Sequence, residues 1–169
     1  MADAPGERAA GALAPKRPSE STVTMTEFVL PNDANALGTV FGGKVLQWID
    51  IAGAVAAARH SRRIAVTASI ESVSFHAPLK VGHIAILEAR LNGVGRTSME
   101  VSVEVSGEHP LTGERYSTTS AIVTFVARDE AGTPVPVPPL LAETEDDRRR
   151  AEEAAARRAA RKPHPRSPR

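Results

Sequence analysis

The segment KVLQWIDIAGAVAAARH, residues 44–60, constrains this chain more than any other part of it. It lacks proline, is rich in alanine and is too long for a strand, so it reads as a helix. Its few polar residues do not gather on one side, so most of its circumference must be covered. The rest of the sequence says by what. TVTMTEFVL (22–30) precedes it, and AVTASIESVSF (65–75), HIAILEARLNGV (83–94), TSMEVSVEV (97–105) and RYSTTSAIVTFVA (115–127) follow, all strand-like. Within 97–105, Met99, Val101, Val103 and Val105 alternate with Glu100, Ser102 and Glu104. That is the period of an antiparallel strand with one buried face. Strands and helices do not alternate along the chain, which argues against a doubly wound sheet. The predicted class is α+β, a long central helix wrapped by a curved antiparallel β-sheet.

The flanks differ in composition. Residues 1–20 hold little beyond Ala, Pro, Gly and charge and are expected to form a disordered arm. Residues 21–142 make the domain. Residues 143–162 read as a charged C-terminal helix, with Thr144 capping it three residues before Asp147 and acids preceding bases. Glu145–Arg149, Asp146–Arg150 and Glu153–Arg157 are the expected i,i+4 pairs of a solvated helix. Residues 163–169 are a proline-broken, disordered tail. Gly95 and Arg96 mark a hairpin, which also accounts for the pair Gly93 and Gly95.

Several function classes are excluded at this level. Lys and Arg number 21 against 20 acids, and the formal charge is +1, so no uniformly basic face is available for nucleic acid. With no cysteine there are no disulfides, thiolate metal sites or cysteine nucleophiles. The sequence has no nucleophile elbow and no P-loop. Its five histidines (60, 76, 83, 109 and 164) show no zinc-type spacing, so no metal site is expected. No secretory signal is readable, and the most apolar stretch carries Gln47 and Asp50, so neither secretion nor membrane insertion is expected. A cytoplasmic protein is the expectation.

Two features point to chemistry. Asp50 shares a helical stripe with Leu46, Gly53, Ala54 and Ala57 and is flanked by Trp48, Ile49 and Ile51. A carboxylate in such surroundings is costly unless partnered or raised in pKa. It reads either as a structural cap or as a catalytic base. The second feature is the preceding loop, where Asn32, Asp33 and Asn35 favour turns and Gly38, Gly42 and Gly43 permit close backbone approach. A helix starting near Gly43 aims free N–H groups at whatever enters, and such donors stabilise an oxyanion. Loop and acid together suggest an acyl-transfer site.

PNDANALGTVFGGKVLQWIDIAG resembles the signature of the hotdog-fold acyl-CoA thioester hydrolases, N-x-x-G-x-x-F/H-G-G before an acid-bearing helix. The resemblance continues through VTASIESVSFHAPLKVGH and RTSMEVSVEV into VPVPPLLAETEDDRRRAEE, covering roughly residues 22–155. It implies that Asp50 is general base or nucleophile and that Asn35 reaches the partner subunit's site to hold water or carbonyl. It implies that the Gly42 and Gly43 amides face the thioester oxygen and that Arg96, Thr97 and Ser98 lie near coenzyme A. It implies acyl-CoA as substrate, no cofactor beyond the coenzyme A that substrate and product carry, and at least a homodimer, with a hexamer built as a trimer of dimers. A non-catalytic acyl-CoA-binding module is the alternative. A hydratase would need a histidine at the site, for which only His60 and His76 are available.

Overall fold

The long apolar segment forms α1, Gly42–Ser61. The computed structural model describes residues 13–161. Val45, Trp48, Ile49, Ala52, Ala56 and Ala57 are buried along α1. The helix stops at Arg62, which adopts the left-handed conformation (φ 53°) while its amide donates to the Ala58 carbonyl at 2.8 Å. Glycine inside a helix costs about 1 kcal/mol relative to alanine. At Gly53 the reason is spatial, because a Cβ there would lie 2.9 Å from the Phe125 ring.

Five strands supply the cover: β1 Val23–Phe28, β2 Ile64–Phe75, β3 Ile84–Val94, β4 Ser98–Glu108 and β5 Arg115–Arg128. They form one antiparallel sheet in the order β1-β3-β4-β5-β2, which leaves β1 and β2 at its edges. All five strands contact α1. Leu87, Ala89, Leu91, Val101, Val103, Val105, Val123 and Phe125 face the helix and are buried. The sheet therefore curves around α1 as the element order predicts.

The alternation in β4 is present, but its polar face does not meet water along its whole length. Glu100 and Ser102 are buried too. They lie under α2, Glu145–Ala160, which packs across the convex face of the sheet. The expected capping box is there: Thr144 Oγ1 accepts from the Asp147 amide and Asp147 Oδ2 from the Thr144 amide. The expectation of a solvated helix is corrected. Asp147 forms an ion pair with Arg90 of β3, and Arg157 and Arg161 converge on Glu100. Gly93 is part of the same correction. It sits inside β3 rather than in a turn, and a Cβ there would approach Ala154 of α2 to 2.9 Å. Of the expected pairs, Asp146–Arg150 and Glu153–Arg157 form, whereas Glu145 turns to Arg148 instead of Arg149.

Residues 16–20, expected to belong to a disordered arm, are instead bound to the fold. Lys16 bridges to Leu140, its ammonium donates to the His60 carbonyl at 2.8 Å, and Pro18–Glu20 form a 3-10 turn. These contacts tie residues 16–20 to the end of α1. Residues 1–12 and the expected tail at 163–169 lie outside the described residues.

The ion pair that seats α2 on the sheet sets an expectation for its stability in acid. Burial by itself raises the Asp147 carboxyl, but the Thr144 and Glu143 amides and the Arg90 guanidinium outweigh it and hold it at about 2, below the ordinary 3.8. A carboxyl depressed by folding stabilises the native state above its unfolded pKa, and that contribution fades as pH falls toward its folded pKa. The contribution is on the order of 2 kcal/mol. Urea unfolding at pH 5 and at pH 2 should therefore differ by about this amount more in the natural chain than in Asp147→Asn. An equal difference in both would remove Asp147 from the acid response.

Candidate active site

The loop before α1 is built from short side chains that bond their own backbone. Asn35 Oδ1 accepts from the Leu37 and Thr39 amides at 2.9 and 3.3 Å, and its Nδ2 donates to Thr39 Oγ1 at 3.0 Å. Gly38 takes φ +73°, the left-handed region where glycine has no steric cost. The Val40 amide donates to the Leu79 carbonyl at 2.9 Å and the Val81 amide to that of Gly38 at 3.1 Å, which fastens the loop to the segment before β3. Lys44 adds an ion pair to Asp33 at 3.2 Å.

This loop delivers an unusual helix start. The N-cap is Phe41, which has no oxygen to offer the first-turn amides. Its own amide is bonded to the Asp33 carbonyl. The Gly42 and Gly43 amides find no acceptor among the described residues. Two donors at the positive end of a long helix are thus open, as an oxyanion site requires.

Asp50 stands two turns further on. It is half-buried rather than enclosed, and its Oδ1 accepts a 2.5 Å hydrogen bond from Thr67 Oγ1 of β2. Thr67 pairs with the buried Phe125, so its side chain points to the helix side of the sheet. Sequence reasoning did not single it out. A hydroxyl among the inward-facing positions of β2 is the signal that could have found it. Beside Asp50 in the sequence the helix surface stays apolar and open, with Ile51 45% and Val55 38% exposed.

Comparison with known proteins gives these residues a family. A thioesterase superfamily model matches residues 37–114, from the Asn35 loop through β4. The acyl-CoA thioester hydrolase YkhA of Bacillus subtilis is 46% identical over 127 residues, 75% of this chain and 74% of that one. The chain belongs to the acyl-CoA thioester hydrolases. A hexameric acyl-CoA thioesterase crystallised without ligand superposes with a TM-score of 0.83 at 45% identity, covering 87% of this chain and 94% of the other. An acyl-CoA hydrolase of Staphylococcus aureus, crystallised with butyryl coenzyme A, coenzyme A and coenzyme A disulfide, gives 0.75 at 33%, covering 85% and 92%. The helix in its curved sheet is the hotdog fold.

In this thioesterase the expected site residues fall into separate groups. Gly42, Gly43 and Asp50 share α1, and Asp50 is joined by Thr67. Asn35 makes no hydrogen bond to Asp50, and its side chain is engaged with Thr39. Arg96, Thr97 and Ser98 form the β3–β4 hairpin, held by bonds from the Val137 amide to the Arg96 carbonyl and from the Ala127 amide to that of Thr97. That hairpin follows the C-terminal end of β3, whereas the Asn35 loop is fastened to the segment before the strand's start. His60 is fully buried, with its Nε2 2.9 Å from the Pro138 carbonyl, and serves the fold. His76 bonds Ser120 Oγ at 3.1 Å. No group of three His, Asp or Glu among the described residues is placed to hold a metal, and no described helix is long and apolar enough to cross a membrane.

Proposed function

We propose that the enzyme hydrolyses fatty acyl-CoA to free fatty acid and coenzyme A in sites shared between two subunits. The observation that carries this reading is the pair of open amides at Gly42 and Gly43 on the same helix as Asp50 and its Thr67 donor. The amides receive the thioester oxygen, and Thr67 orients the Asp50 carboxylate. Asp50 acts as general base or as nucleophile. As base it takes a proton from water while the water oxygen forms the new bond to the carbonyl carbon, and the C–S bond breaks as the tetrahedral intermediate collapses. A thiol pKa near 8.5 lets the sulfur leave with little help from an acid. The chemistry requires no cofactor.

The separation of the groups supports a shared site. The Asn35 loop and the Arg96–Ser98 hairpin stand at opposite ends of β3. A two-fold axis that sets one subunit's loop against the other's helix would pair the open edge of β2 and cover exposed Ile70 of that strand. Asn35 then orients water or carbonyl in the partner's site, and Arg96, Thr97 and Ser98 lie near the coenzyme A phosphates. The dimer is the minimum unit, and the hexameric relative supports a trimer of dimers. A cytoplasmic location agrees with this substrate.

Release of free thiol from acyl-CoAs of graded chain length tests the reading. The expected result is release of free thiol from at least one of these acyl-CoAs. Tight binding without thiol release would make the protein an acyl-CoA-binding module instead.

A further inference from the structure

Near its C-terminal end β4 gives up a side chain so that another can cross it. Gly107 pairs with Tyr116 of β5 on one side and with Ala85 of β3 on the other. A Cβ on Gly107 would fall inside the Tyr116 ring, so the ring lies over β4 at this point. It thereby reaches past a whole strand, and Tyr116 Oη stands 2.9 Å from Nδ1 of His83, the residue before β3. The His83 ring is also edge-on to His109, with centroids 5.0 Å apart. Burial, joined by the charges of His109 and Lys80, lowers the His83 imidazole, so the ring is neutral at neutral pH. Burial raises the Tyr116 hydroxyl, which keeps its proton. Tyr116 therefore donates and His83 accepts.

What this bond holds is the turn from Leu79 to His83. It is the only side-chain hydrogen bond that the turn makes among the described residues. The backbone of the turn is stitched on both sides. The His83 carbonyl accepts from the Val29 amide at 2.9 Å and the Gly82 amide donates to the Val29 carbonyl at 3.0 Å, just past β1. On the other side Thr39 bridges to Lys80, the Val40 amide donates to Leu79 and the Val81 amide to Gly38. That loop is the one in which Asn35 bonds Thr39 through both backbone and side chain, and it runs into the helix start at Gly42. We propose that His83 and Tyr116 are positioning residues, which fix the Asn35 loop to β5 and so hold Asn35 where it acts. The inference rests on the reading of Asn35 as a site residue and deepens it. Misplacing such a group by about 1 Å can cost up to ~100-fold in rate. The Arg96–Ser98 hairpin follows the other end of β3, so the loss should fall on kcat rather than on KM.

The experiment measures kcat and KM for one acyl-CoA in the natural enzyme, Tyr116→Phe, His83→Ala, His83→Asn, Asn35→Ala and the double variant Asn35→Ala with Tyr116→Phe. Circular dichroism and the urea midpoint establish that each is folded, and either Tyr116→Phe or His83→Ala suffices if the other is not. Tyr116→Phe keeps the ring over Gly107 and removes only the donor. Asparagine offers an oxygen close to where the His83 Nδ1 stands. Tyr116→Phe and His83→Ala should each lower kcat about tenfold with KM within about twofold, and His83→Asn should recover most of the loss. On Asn35→Ala, adding Tyr116→Phe should cost nothing more, because the group it positions is gone. Natural kcat in the folded variants, a loss carried by KM, or an equal further loss on Asn35→Ala overturns the positioning role and leaves Asn35 in the site. Natural kcat in Asn35→Ala dismisses Asn35 from the reaction, and the positioning role falls with it. No thiol release by the natural enzyme from any acyl-CoA overturns the hydrolase reading itself.

Discussion

Asp50→Asn lowers kcat by two or more decades and leaves the protein folded. Asparagine keeps the size of the side chain and can still accept from Thr67, but it removes the carboxylate that takes a proton or attacks the carbonyl. Relieving a partly buried charge does not strip a partner of its counter-ion here, because the only side-chain partner of Asp50 among the described residues is a neutral hydroxyl. Circular dichroism and the urea midpoint should match the natural protein. Near-normal turnover by folded Asp50→Asn would dismiss Asp50 as the catalytic group.

Mixing two crippled enzymes restores activity. Asn35→Ala and Asp50→Asn each damage every site of their own homodimer. If Asn35 serves the partner's site, a mixed dimer holds one site with both changes and one with neither. After full subunit exchange at equal concentrations, half of the dimers are mixed, so about a quarter of the natural activity should return. The physical warrant is reach. Gly43 and Asp50 are about 10 Å apart along the helix axis, and Asn35 lies before that helix with its side chain turned to Thr39. Exchange confirmed by native mass spectrometry with no recovery would place both residues in the same subunit's site.

Much of this molecule can be read from its sequence, and the parts that cannot share a physical cause. Periodicity reports on neighbours a few residues apart. It locates α1 and all five strands to within a few residues, because Val, Ile and Ala dominate the faces turned to each other. It does not show why α1 begins at Gly42 rather than Lys44, since the Phe41 N-cap carries no capping oxygen for sequence reasoning to find. The alternation of Glu100, Ser102 and Glu104 identifies a polar face and is silent on what lies over it. What covers Glu100 is Arg157, 57 residues away, and of the alanines of α2 only Ala154 is buried, too little to signal its docking. Asp50 stands out by residue type alone, but its donor Thr67 belongs to another element and looks like any strand threonine until the two are folded together.

The seating of α2 also bears on how small a working version of this chain can be. No side chain of α2 hydrogen-bonds to a residue of the candidate site, and all of those residues precede Met99. A chain shortened after residue 142 would keep every reacting group. It would also leave Glu100, 5% exposed, without Arg157 and Arg161, and Arg90 without Asp147. Removing α2 would at the same time uncover the face that it protects, turning Glu100, Ser102 and Asn92 from a closed polar layer into an open sheet surface. The convex face of the sheet is therefore finished by a segment that ends at residue 161, well past the last residue of the candidate site.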